Sequence, residues 1–158
     1  MGTDPSGSGV PEELLLGIDH VGIAVADLDE AVAFYARVFG LTCVHEEINE
    51  ELGVREAMLA VGDSGPSLQL LAPLSADSTI AAFLDRSGPG VQQLAYRVRD
   101  VEAAADVLRR RGVRLLYDAP RRGTSASRIN FVHPKDAGGI LVELVEPAAP
   151  EEADFPRR

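Results

Sequence analysis

Short apolar runs that each enclose one or two polar residues alternate with amphipathic stretches, and the whole order occurs twice along the chain. The first run predicts a strand over 17–25. A helix is predicted next, over 28–39, because Leu28, Val32, Tyr35 and Phe39 fall on one face suited to packing on a sheet. Asp27 stands where an N-cap is needed, Glu30 follows at capping-box spacing, and Gly40 ends the helix. Strands are predicted over 41–47, 55–61 and 67–71. A short helix over 79–86 and the turn Ser87-Gly-Pro-Gly90 lead to the second half. There a strand over 90–98 precedes a helix over 101–111, with Val101, Ala104, Ala105 and Leu108 on its inner face and Gly112 at its end. Strands over 114–117, 128–132 and 140–145 complete it.

A shift of 73 residues carries Val25 onto Val98, Asp27 onto Asp100, Ala31 onto Ala104 and Tyr35 onto Leu108. Agreement at so many positions marks an internal duplication. Each copy reads strand–helix–strand–strand–strand, too little to bury both faces of its own sheet. Two copies can curl their sheets together with the helices outside. The fold class predicted is therefore α+β: two βαβββ modules, about 17–75 and 90–147, in tandem as a half-open, mostly antiparallel barrel. The domain runs over 14–147. The Gly/Ser/Pro-rich stretch 1–13 and the stretch 148–158 read as flexible tails.

The same shift pairs His20 with Gln93, and a shift of 74 pairs Gln69 with Glu143. Strand alternation sends Gln69 and Glu143 opposite to their Leu and Val neighbours, into the concavity if helices cover the other face. Two polar side chains per copy about a pseudo-twofold axis outline a metal site. One imidazole, one carboxylate and two amide oxygens suit Co²⁺, Mn²⁺, Ni²⁺, Mg²⁺ or Zn²⁺, with positions left for water or substrate. A glutamate in that place costs free energy to bury unless it is paired or bound to a cation.

Other residues carry fainter signals. Glu56 is a further carboxylate in a predicted strand. His133 follows a strand end and either faces the site or caps a turn; His45 reads as a solvated strand residue. Alternation turns Gln92 away from Gln93. The segment 121–128, Arg121-Arg122-Gly123-Thr-Ser-Ala-Ser-Arg128, is basic and built of small residues, so it reads either as a surface loop or as a lid whose arginines grip phosphate or carboxylate.

A net charge of −10 argues against nucleic acid and anionic membrane surfaces as partners. The single cysteine, Cys43, cannot form an internal disulfide and fits a reducing compartment. No apolar run approaches the roughly 20 residues that span a bilayer. The first nine residues lack the basic end and apolar segment of a secretory signal.

The chain resembles the vicinal oxygen chelate superfamily, with its glyoxalase-like fold, and within it the methylmalonyl-CoA epimerases. The resemblance covers roughly 17–147. It is carried by Gly17-Ile-Asp-His-Val-Gly-Ile-Ala-Val25, Asn49-Glu-Glu-Leu-Gly-Val-Arg-Glu-Ala-Met58, Ser67-Leu-Gln-Leu-Leu-Ala-Pro-Leu74, Gly112-Val-Arg-Leu-Leu-Tyr-Asp118 and Arg128-Ile-Asn-Phe-Val-His-Pro-Lys135. It implies a divalent ion, Co²⁺ above the others, held by His20, Gln69, Gln93 and Glu143, with Glu56 and Glu143 as the acid/base pair. Gln93 stands where the family pattern has histidine, so either the metal preference is altered or Gln93 does not coordinate. The implied activity is interconversion of (R)- and (S)-methylmalonyl-CoA by α-proton abstraction. Arg121, Arg128, His133 and Lys135 are the candidate substrate contacts. The resemblance further implies a cytoplasmic homodimer with an acyl-CoA substrate. Two rivals stay open: a glyoxalase-type isomerase or other acyl-CoA epimerase on the same scaffold, and a metal-free small-molecule-binding protein.

Overall fold

The structure, a computed structural model, describes residues 14–149; the expected tails, apart from 148 and 149, lie outside them. In chain order the elements are β1 (Leu15–Ala24), α1 (Leu28–Phe39), β2 (Thr42–Asn49), β3 (Val54–Ala60), β4 (Ser67–Pro73), α2 (Thr79–Ser87), β5 (Gly90–Val98), α3 (Val101–Arg110), β6 (Arg121–Arg122), β7 (Arg128–Val132) and β8 (Leu141–Glu146). The strands form one eight-stranded sheet in the order β2-β3-β4-β1-β5-β8-β7-β6. Only β1/β4 and β5/β8 run parallel; the other neighbours are antiparallel. The order reads outward from the central β1/β5 pair as β4-β3-β2 on one side and β8-β7-β6 on the other, which is the expected duplicated α+β arrangement.

The duplication extends to the helix caps. The Asp27 carboxylate accepts the Glu30 N–H and the Asp100 carboxylate accepts the Ala103 N–H, each at 3.0 Å. Gly40 closes α1 in the left-handed conformation, φ 69°, where a Cβ would be strained. Helices α1 and α3 each cover the convex face of their own module, while α2 packs Ile80 against Val54 and Leu71. Under α1 pack Leu28, Ala57, Leu59, Leu70 and Ala72; under α3 pack Val98, Val101, Ala104 and Leu144. Fully buried leucines such as Leu59 and Leu70 contribute about 2 kcal/mol each. Because Ala57, Leu59 and Leu70 face a helix, strand alternation turns Glu56, Met58, Gln69 and Leu71 to the concave face.

Two expectations fail. Residues 114–117 do not form a strand: one isolated bridge, Leu115 to Val132, remains. The buried Asn130 side chain takes over, accepting the Tyr117 N–H at 3.1 Å and donating to the Tyr117 carbonyl at 3.0 Å. The ladder edge is instead the two-residue β6. Phe39, expected on the inner face of α1, is 62% exposed. Its ring lies against Tyr35 and Phe34 rather than the sheet.

Candidate active site

Five polar side chains meet in the concavity. His20, Glu56, Gln69, Gln93 and Glu143 are each between 2 and 5% exposed, which excludes a solvated face for any of them. Local sequence makes room for them. In the central pair, His20 lies opposite Ala95 and Gln93 opposite Gly22, a small residue across from each functional one. A Cβ at Gly22 would come within 2.4 Å of Gln93 Cγ, so only glycine lets that side chain lie flat over β1.

The Gln93 amide nitrogen is the hub. It lies 2.6 Å from Glu143 Oε2, 2.9 Å from Gln69 Oε1 and 3.3 Å from His20 Nε2. An amide nitrogen carries two hydrogens, which Glu143 and Gln69 can take up, so the His20 ring nitrogen stands beside it with no hydrogen left to accept. Acceptors converging on one point form a shell suited to a cation, and turning the Gln93 amide would bring in its oxygen as a fourth donor. The donor set therefore fits a divalent ion. Half of it is amide, and among the described residues no group of three or more His, Cys, Asp or Glu is placed to hold a metal ion by itself.

Asp19 orients His20. Its Oδ2 lies 2.7 Å from His20 Nδ1, and its Oδ1 accepts the Arg97 Nε–H at 2.9 Å. A carboxylate on the far nitrogen of a ligating histidine fixes the ring and its tautomer. Burial opposes charge on His20, but the hydrogen bonds with Asp19 and Glu143 outweigh it and hold the ring's pKa up at about 10. Asp19 is lowered: burial again works the other way, and His20 and Arg97 prevail. A cation at the hub would displace the His20 proton.

On the other side of the hub, Gln69 Nε2 donates to Glu56 Oε2 at 2.9 Å and to Thr124 Oγ1 at 2.8 Å. Thr124 Oγ1 in turn donates to Glu56 Oε1 at 2.6 Å. Burial pushes the Glu56 carboxyl up to about 7, with Glu47 and Glu143 adding to the rise while Thr124 and His20 oppose it. A carboxyl poised there suits proton transfer near neutral pH. The cavity next to these groups holds about 130 Å³ and is walled by Leu52, Val54, Leu71, Ile80, Ile129 and Phe131. Both Glu56 and Glu143 border it.

The remaining candidates divide. Arg121 sits at the rim, its guanidinium 3.9 Å from the centroid of the cavity-lining Tyr117 ring and 3.5 Å from Glu51. Arg128 pairs with Glu102 on α3 and Glu146, on the face opposite to Ile129. His133 caps its own turn, accepting the Lys135 N–H at 3.2 Å. Neither His133 nor Lys135 borders the cavity. Gln92, expected to turn away, borders it beside Gln93, because β5 carries one residue more than β1 between the partners of Gly22 and Ile23.

Sequence reasoning passed over Asp19 and Thr124. Asp19 is an extra residue on β1: Ile18 faces Tyr96 and His20 faces Ala95, so β1 bulges and the Asp19 carboxylate can reach its neighbour's ring. No pattern in one strand announces a bulge. The only hint for Thr124 was its place in the small-residue segment 121–128.

Residues 19–131 match the family model described as Glyoxalase/Bleomycin resistance protein/Dioxygenase superfamily. The crystal structure of methylmalonyl-CoA epimerase from Mycobacterium tuberculosis is 58% identical, with a TM-score of 0.85 over 89% of this chain and 93% of that one. A Streptomyces coelicolor methylmalonyl-CoA epimerase variant, solved in complex with 2-nitronate-propionyl-CoA, is 49% identical, with a TM-score of 0.83 over 85% and 99%. The ethylmalonyl-CoA/methylmalonyl-CoA epimerase of Cereibacter sphaeroides is 35% identical over 80% of this chain and 95% of its own length. The chain thus belongs to the methylmalonyl-CoA epimerase family of the glyoxalase/bleomycin resistance protein/dioxygenase superfamily.

Proposed function

We propose that this protein epimerises (R)- and (S)-methylmalonyl-CoA, with Glu56 and Glu143 exchanging protons at opposite faces of the α carbon. The observation that carries the reading is the pair of buried carboxylates bordering one small apolar cavity, joined by the Gln69–Gln93 hydrogen-bond chain. It is supported by family membership and by a relative solved with an acyl-CoA derivative bound.

The substrate's α hydrogen lies between a thioester and a carboxylate and is weakly acidic. One glutamate breaks the C–H bond and takes the proton, and the electron pair passes into the thioester carbonyl. The other glutamate, protonated, delivers its proton to the opposite face as the pair returns to carbon. Gln69 and Thr124 hold Glu56 in place, and Asp19 holds His20. His20, Gln69, Gln93 and Glu143 would hold a divalent ion, Co²⁺ being our first choice. Bound there, such an ion supplies positive charge where negative charge develops on the thioester and carboxylate oxygens. The apolar walls exclude water from the reacting carbon.

Arg121, at the rim, is the basic residue best placed for the CoA portion. Arg128, His133 and Lys135, none of which borders the cavity, remain secondary candidates. We read the protein as a cytoplasmic homodimer; the single cysteine supports a reducing compartment. Among the described residues no helix is long and apolar enough to cross a membrane.

The test is solvent deuterium uptake at the α carbon of each epimer, with and without added Co²⁺ or Mn²⁺ after chelation. Metal-dependent uptake from both is expected; a folded protein that exchanges neither refutes the reading.

A further inference from the structure

Residues 123–127 adopt a conformation that the local sequence does not favour. Ser125 and Ala126 both have positive φ, 56° and 59°, without being glycine. Two such residues in succession persist only where the surroundings over-determine them. The turn is closed at its ends by its own backbone and packs against β7. The Gly123 N–H donates to the Ser127 carbonyl at 2.9 Å. Gly123 itself packs so closely that a Cβ would meet Ile129 Cγ2 at 2.5 Å. The tip is fixed from the other module, where Glu47 Oε1 accepts the Ser125 N–H at 2.6 Å. Glu47 is itself steadied: its Oε1 lies 3.2 Å from His45 Nε2 and its Oε2 3.6 Å from Arg122.

Glu47 on β2 stands directly opposite Glu56 on β3. One strand pair thus carries both the proposed base and the residue that grips the turn beside it. The residue before the gripped amide is Thr124, whose hydroxyl donates to Glu56. A second cross-module contact backs the arrangement, as Asn49 Nδ2 donates to the Arg122 carbonyl at 3.2 Å.

We propose that Glu47 is a positioning residue: by holding the Ser125 amide, it keeps the strained turn closed across the module boundary and Thr124 on Glu56. This rests on the epimerase reading for its catalytic consequence but not for the anchor itself. A cross-strand pair of glutamates is ordinarily unfavourable; here the Ser125 amide and Arg122 offset the second charge.

The test uses three variants of the full chain, read by epimerase kinetics and by hydrogen exchange at the Ser125 amide. Glu47→Ala should deprotect that amide and lower kcat about tenfold with KM changed less than about twofold, since a misplaced base loses rate rather than binding. Glu47→Gln keeps an acceptor oxygen and should stay within about twofold of the wild type on both readouts. Ser125→Gly, added to Glu47→Ala, should recover most of the lost kcat, because glycine takes the positive φ without strain. The proposal is overturned if Glu47→Gln falls as far as Glu47→Ala, which would assign the effect to charge. It is equally overturned if Glu47→Ala leaves the Ser125 amide protected. Amide exchange needs no substrate, so an inactive wild type would sink the epimerase reading and still leave the anchor decided.

Discussion

The two modules share a framework and differ where chemistry is done. The shift of 73 residues that places Asp100 at the cap position of Asp27 also sets Ile129 in the place of Glu56: Glu56 faces Leu71 on β4, and Ile129 faces Val145 on β8. The first module supplies a carboxylate from its β3; the second supplies an apolar wall from β7 and its carboxylate from β8 instead. At the sheet edges, Glu47 faces Glu56, while Arg121 faces Ile129. Duplication thus delivered a symmetric cradle of four polar side chains about β1 and β5, and departures from symmetry delivered the second carboxylate of the proposed acid/base pair, the turn beside it and a basic rim.

Breaking the asymmetry at its centre has the largest expected effect. Removing either carboxylate's proton chemistry should cost about 10²–10⁴-fold in kcat, the usual share of a positioned acid or base. Glu143→Gln should also weaken metal binding, whereas Glu56→Gln should leave metal content unchanged; loss of metal from Glu56→Gln would mean that this residue is a ligand. Equalising the cradle comes next. Gln93→His should tighten Co²⁺ binding by isothermal titration, since imidazole is the stronger donor and the amide hub is removed. Unchanged affinity would exclude Gln93 from the ligand set.

Glu56 also gives the first module a pH signature. Its folded pKa of about 7 lies above the ordinary glutamate value of 4.5, so protonation stabilises the fold. That contribution is complete below pH 4.5 and is lost as pH rises through about 7. With chelator present, Glu56→Gln should therefore be more stable than wild type by about 3 kcal/mol at pH 8, and by no more than about 1 kcal/mol at pH 5. Wild-type kcat/KM should fall below pH 7 as the base protonates. A variant no more stable at pH 8 than at pH 5, relative to wild type, would contradict the burial argument.

In the second module, Asn130→Ala should cost about 2 kcal/mol, because the Tyr117 amide groups lose their partner. It should also raise KM through the displaced Tyr117 ring; thermal denaturation and initial rates would show whether the two effects travel together. The framework should respond least and evenly: Asp27→Ala and Asp100→Ala should each cost about 1 kcal/mol with kcat unchanged. Unequal losses in urea titrations would show that the caps are not equivalent.

Much of this was legible in sequence because it repeats. Helices α1 and α3, most strands, the two Asp caps and the four hub residues lie at a near-constant spacing in periodic segments. The parts that escaped depend on contacts across modules or on broken periods. The strand expected over 114–117 gave way to Asn130, a side chain standing in for a ladder. Asp19 and Gln92 each lie where one strand carries an extra residue, which no alternation rule foresees. Glu47 and Thr124 acquire their roles only when the second module's turn folds onto the first module's edge. Arg128 precedes inward-facing Ile129, and that alternation already places it on the helix side with Asn130.

The central claim is one carboxylate per module and one per face of the α carbon. Its most direct measurement is solvent deuterium exchange from each methylmalonyl-CoA epimer in Glu56→Gln and in Glu143→Gln. The account predicts crossed behaviour: each variant fails to epimerise, loses exchange from one epimer and keeps residual exchange from the other, with the affected epimer reversed between variants. Loss of exchange from the same epimer in both, or full exchange from both epimers in either variant, would contradict it.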